Sequence, residues 1–181
     1  MVDVLNSAGL ITNIVLSKET GGKIQLSFFI DPKTGAKITG INAKKGGIER
    51  IYYERLDRAR LEKEDGFKIF CLHIGLTELT PPHMAAMDTI PTSLLPKGFN
   101  YYAGGHIHQR IEQKLPNYHH IVYPGPIFSG YPRDMEQTAR GETRGFYVVS
   151  FDTTVQDVKF LQHHPYEIDV YDFDVSTKNA T

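Results

Sequence analysis

The order of apolar and polar positions divides the chain into short extended runs punctuated by glycine and proline. Residues 10–17 are apolar and β-branched enough to predict a strand. Residues 23–30 alternate at first and then turn wholly apolar, which predicts a second strand. Asp31-Pro32-Lys33-Thr34-Gly35 has turn chemistry, and residues 36–43 return as a third strand, so 23–43 reads as a hairpin. After Gly46-Gly47 the period lengthens. Ile48, Ile51, Tyr52, Leu56 and Ala59 form one stripe at helical spacing, mixed charges from Glu54 to Lys63 give a solvated face, and Gly66 is the stop.

Residues 67–72 form a nearly continuous apolar run, the pattern of a strand buried on both faces. It delivers His73-Ile74-Gly75 at its C-terminal end, where ligands of α/β sheets usually bind. A connection at 77–98 carries Pro81, Pro82, Pro91 and Pro96, and its length marks it as a functional loop. The aromatic run Tyr101-Tyr102-Ala103 then enters Gly104-Gly105-His106-Ile107-His108. Strands are expected at 110–115 and 119–123, a rigid turn at Pro124-Gly125-Pro126, a loop over 129–144, and a hairpin pairing 145–152 with 155–161. From Tyr166 to Val175 acidic and apolar residues alternate, as at the opening of another module. Residues 1–9 read as the end of a helix closed by Gly9. A chain with many strands and one long helix lacks the helices to cover its sheets. With the mid-helix opening, this raises the expectation that an N-terminal part lies outside the chain.

Composition narrows the class. The 181 residues suit one ordinary domain, and 40% hydrophobic with 23% charged content fits a soluble protein with a real core. No apolar run is long enough to span a bilayer and no leader-like segment opens the chain. The lone Cys71 excludes an internal disulfide framework and points to a reducing compartment, so a cytoplasmic location is expected. A net charge of −1 argues against a uniformly basic nucleic-acid binder, but leaves room for a local positive groove or a bound metal.

The chemistry lies in the histidines. In an extended chain His106 and His108 point to one face, roughly 7 Å apart, and the preceding glycines permit a tight turn or close approach to an ion. His73, His106 and His108 all follow buried strands in glycine-containing turns, so they are the candidate ligands. His119-His120 and His163-His164 are adjacent pairs pointing to opposite faces, taken as structural or exposed, and His83, in the proline-rich loop, is not counted among the ligands. Three neutral imidazoles are enough for one zinc in an open tetrahedral site. The carboxylates of a harder two-ion site are not apparent: nothing in the spacing of Asp88 or Asp134 ties them to the histidines. No phosphate-binding loop, dinucleotide fingerprint or nucleophile elbow is present. The residues alone read as part of a transition-metal hydrolase.

Phe70-Cys71-Leu72-His73 followed by Gly104-Gly105-His106-Ile107-His108 resembles the last two metal-binding motifs of the calcineurin-like metallophosphoesterases. With Tyr123-Pro124-Gly125-Pro126, Arg144-Gly145-Phe146-Tyr147 and the opening Val2-Asp3-Val4-Leu5, the pattern resembles the SbcD-type double-strand-break repair nucleases over about residues 2–161. The resemblance implies an α/β (α+β) fold, the strand-rich part of a four-layer αββα sandwich lacking its N-terminal half. Residues 1–159 would belong to the nuclease domain, and 160–181 to a tail or the start of a DNA-capping domain. It implies two divalent ions, Mn2+ first among them, with His73 and His106 on one and His108 on the other. DNA and an SMC-like ATPase would be the partners. The family's Asp-x-His, bridging Asp and Asn-His motifs have no counterpart in the sequence, so the chain alone is expected to be catalytically incomplete, completed by a missing half or by self-association. Arg110, Arg133 and Arg144, with Arg140, are candidate phosphate contacts. The alternatives are a phosphodiesterase acting on small phosphodiesters or nucleotides, and a non-catalytic partner-binding fragment.

Overall fold

The computed structural model describes residues 2–44, 47–84, 86–164 and 166–173, without the side chains of Val2, Asp3 and His83. In chain order the elements are α1 (Val2–Ser7), β1 (Ser17–Thr20), β2 (Lys23–Leu26), β3 (Phe29–Ile30), β4 (Lys37–Ile41), α2 (Glu49–Glu54), α3 (Arg58–Glu62), β5 (Lys68–His73), β6 (Gly75–Leu76) and β7 (Thr89–Ile90). They continue with β8 (Tyr101–Gly105), β9 (Ile111–Leu115), β10 (Tyr118–Tyr123), α4 (Pro132–Ala139), β11 (Gly145–Phe151) and β12 (Val155–Gln162). The fold is mixed α/β, dominated by strands with few helices. No helix among the described residues is long and apolar enough to cross a membrane.

One six-stranded sheet organises the molecule, in the order β3-β4-β5-β8-β10-β9. Its centre is parallel: β4 with β5, β5 with β8, and β8 with β10. The edge strands β3 and β9 run antiparallel to their neighbours. Parallel strands need covering on both faces, and every residue of β5 and β8 but His73 is buried or half-buried. Phe70 and Tyr102 are fully buried on these two strands and pack with Phe99, ring centres 5.4 and 5.9 Å away. Ile121, Val122 and Tyr123 extend the buried layer on β10.

Close strand contact fixes one glycine in the sheet. Gly40 pairs with Cys71, and a Cβ at Gly40 would stand 2.1 Å from the Cys71 carbonyl oxygen. Gly40→Ala is therefore expected to force β4 off β5 and destabilise the protein by about 3 kcal/mol, at the upper end of ordinary overpacking. Urea denaturation checks this, and an unchanged midpoint would contradict it.

Several expected elements hold and others shift. The Gly9 helix stop forms, with Gly9 at φ +70 and Leu10 donating to the Leu5 carbonyl. The turn after β3 forms through Asp31, whose carboxylate accepts from the Thr34 amide and hydroxyl. The strand expected at 10–17 does not form: only Ser17 joins β1, where it pairs with β2. The run at 23–30 is cut into β2 and β3, which belong to different sheets. The long helix breaks into α2 and α3 because Leu56 bridges to Ile24. There Ile24 donates to the Arg55 carbonyl and Asp57 to the Ile24 carbonyl, strand-type bonds that a continuous helix would forbid. The expected stripe turns accordingly: Tyr53, Leu56 and Leu61 are buried, while Ile48 and Ile51 are exposed. Residues 166–173 form no regular element, and the expected helix start at Gly46 and alternation at 174–175 lie outside the described residues.

Candidate metal centre

Strand register brings the first two histidines together. β5 and β8 are neighbours in parallel register, with His73 opposite Gly105, so His73 and His106 leave the sheet side by side at its C-terminal edge. Their ring centres lie 5.4 Å apart. Two imidazoles on one ion at metal–nitrogen distances of about 2.0–2.1 Å would have centres roughly 5 Å apart at a tetrahedral angle. The observed pair is therefore close to a shared-ion separation.

The glycines serve this edge differently from expectation. Both lie within β8 and provide packing room where a turn was expected. A Cβ on Gly105 would come 2.8 Å from His73 Nδ1, and one on Gly104 would come 2.5 Å from the Tyr123 ring. The turn falls one residue later, on His106 itself, at φ +83. That value is uncommon for a residue with a side chain, and such strain concentrates at functional sites. The extended-strand argument for His106 and His108 is corrected accordingly: β8 ends at Gly105, and the two side chains share a cavity through the turn.

The three histidines form a row. His73 and His106 line a cavity of about 230 Å3 together with Glu49 and Asp88. His106 and His108 line the next, of about 570 Å3, with Met84, Met87, Tyr131 and Arg133 on its walls. Partial desolvation, and then the nearby His106, push the His73 pKa below its usual value, with Glu49 opposing them. A lowered pKa favours the neutral imidazole that a metal needs. Glu49, held by the Lys44 amide at 2.7 Å, has its carboxyl pKa lowered first by that bond and less by the two histidines. Among the described residues no group of three or more His, Cys, Asp or Glu side chains stands close enough to hold a metal ion.

No family model matches the chain.

The remaining candidates separate cleanly. Arg133 is exposed on the wall of the larger histidine cavity. Arg110 faces away into another cavity, its guanidinium 4.6 Å from the Phe160 ring centre. Arg140 pairs with Glu136 at the surface. Arg144 is not free to meet a phosphate: it is 4% exposed and binds the His108 and Asp134 carbonyls, each at 3.0 Å, and Thr138 Oγ1 at 2.8 Å. His119, His163 and His164 are exposed and His120 is half-buried. The 77–98 segment does flank the site, through Met84, Met87 and Asp88.

Sequence reasoning missed Glu49 and set aside Asp134 and Asp88. Asp134 is not in a loop but in the first turn of α4, 2% exposed, with both carboxylate oxygens 2.9 Å from His108 Nδ1. One signal was available. Pro132 with Asp134 two residues on is a helix-start pattern, proline at N1 and an acid in the first turn.

Proposed function

We propose that the chain is part of a metal-dependent DNA repair nuclease of the SbcD type, hydrolysing DNA phosphodiesters at a two-ion centre. One observation carries this reading: His73 and His106 meet at 5.4 Å at the C-terminal ends of adjacent parallel strands. His73 and His106 would hold one divalent ion, Mn2+ first among candidates, and His108 the other. Such a pair of ions polarises a phosphate, supplies an activated water and steadies the leaving oxygen. The chain's own residues position the imidazoles, favour the neutral form of His73, and offer Arg133 toward the phosphate. On this reading the strand-rich sheet is part of the αββα sandwich, the remaining ligands come from another segment, and DNA and an SMC-like ATPase are the partners. Exposed apolar side chains at Leu10, Leu16 and Phe128 support a covering segment or companion chain.

The test is a cleavage assay on single-stranded and duplex DNA with Mn2+. The 181-residue chain alone is expected to cleave negligibly, and to gain activity with a segment supplying the Asp-x-His, bridging Asp and Asn-His motifs. Robust cleavage by the chain alone would overturn the incompleteness. No cleavage by the supplemented protein would overturn the nuclease assignment.

A second reading is favoured by the shape of the larger cavity. At about 570 Å3, with Met84, Met87 and Tyr131 on its walls and Arg133 as its one arginine, it has the size and lining of a small-molecule site. A phosphodiesterase acting on nucleotides or other small phosphodiesters fits this better than a broad basic groove would. Hydrolysis of a small phosphodiester by the supplemented protein, without DNA cleavage, would select it.

A further inference from the structure

Resting on the metal reading above, we propose that Asp134 and Arg144 are positioning residues that fix the tautomer and placement of His108, presenting its Nε2 lone pair to the site. The chemistry starts from hydrogen-bond direction. An ionised carboxylate only accepts, so a ring nitrogen bonded to one carries its proton there, and in a neutral imidazole the other nitrogen is left as the acceptor. Both oxygens of Asp134 stand 2.9 Å from His108 Nδ1, and Asp134 is nearly sealed from water. With Asp134 ionised and the ring neutral, Nδ1–H donates to Asp134 and Nε2 carries the lone pair offered to the site. Metal-binding histidines commonly use their second ring nitrogen in this way, to set orientation and raise basicity.

Arg144 holds the same histidine from its backbone. Its guanidinium donates to the His108 carbonyl, the Asp134 carbonyl and Thr138 Oγ1. Thr138 in turn donates to the Asp134 carbonyl at 2.8 Å and lies 2.7 Å from Ser129 Oγ. The Ser129 carbonyl accepts from Tyr166 at 2.9 Å. The buried fork thus ties the loop carrying His108 to the helix carrying Asp134, so that ring and backbone are held by one unit. Lysine cannot copy it, because a single ammonium lacks the planar set of donors. Arg144 is a strut for the ligand.

Nitrogen-15 NMR of the imidazoles in the 181-residue chain, without metal, reads the tautomer directly. The expected result is Nδ1–H, Nε2-unprotonated for His108, and the opposite tautomer would overturn the proposal. In Asp134→Asn the amide can donate to Nδ1 and reverse the tautomer. Mn2+ affinity, measured by electron paramagnetic resonance of the free ion, is then expected to fall 10- to 100-fold, as for other outer-shell partners. Arg144→Lys is expected to keep the tautomer but to broaden the His108 signal and weaken Mn2+ binding less than Asp134→Asn does. A folded Asp134→Asn protein with unchanged tautomer and affinity would overturn the clamp. The expected tautomer in a protein that binds no Mn2+ even when the segment supplying the remaining ligands is present would support the clamp and overturn the metal reading instead.

Discussion

Replacing His73 by alanine is expected to weaken Mn2+ binding by more than about 100-fold, beyond the range that outer-shell substitutions reach. Replacing His106 is expected to do the same. Each imidazole is half of a pair at 5.4 Å, and the strand register that places it is fixed by sheet pairing. His106 allows a sharper form of the experiment. Its φ of +83 is one that glycine adopts at little cost and that costs a residue with a side chain on the order of 1 kcal/mol or more. His106→Gly should therefore remove binding without lowering stability against denaturant. That combination separates a ligand from a packing residue. Equal Mn2+ affinity in His73→Ala and the wild type would show that the pair is structural. His119→Ala serves as control, since His119 is exposed and away from the cavities.

The second large effect concerns the support of the site. Tyr102 is fully buried, packs against Phe70, Phe99 and Tyr118, and donates its hydroxyl to the Pro96 carbonyl at 2.8 Å. The Phe99 amide in turn donates to the Tyr102 hydroxyl oxygen. Tyr102→Ala is expected to cost about 3–5 kcal/mol, the usual loss for an aromatic removed from a core. Tyr102→Phe keeps the ring and leaves the Pro96 carbonyl without its partner, for roughly 1–3 kcal/mol. Because Tyr102 lies on β8, which leads directly into His106, the alanine variant should also lose Mn2+ affinity. Denaturation midpoints with parallel Mn2+ titrations check both, and a Tyr102→Ala protein within about 1 kcal/mol of wild type would refute the packing assignment.

What was legible in the chain depended on how local the cause was. The apolar runs at 67–72 and 101–103 read as buried strands because each is a self-contained pattern, and the histidines that follow them were placed at strand ends for the same reason. The meeting of His73 with His106 needed the further fact that β5 and β8 are neighbours, which no periodicity reveals. The break at Leu56 was invisible because its cause is Ile24, far upstream, inserting strand bonds into what reads as a helix. The packing role of Gly104 and Gly105 was not legible, since the Tyr123 and His73 rings that need the space come from other strands. Asp134 escaped because its partner lies on a different element and the short helix presenting it has a polar sequence with little apolar stripe. The same holds for Arg144, whose charge suggested phosphate and whose burial assigns it to the His108 carbonyl.

The central claim is that three of the eight histidines, His73, His106 and His108, form a row of metal ligands. Substoichiometric Mn2+ added to the nitrogen-15-labelled chain tests it most directly, because paramagnetic relaxation broadens the signals of nuclei near the ion. The imidazole signals of His73, His106 and His108 should vanish first, while those of His119, His120, His163 and His164 persist. Uniform broadening of all histidines, or selective loss at His163 and His164, would contradict it.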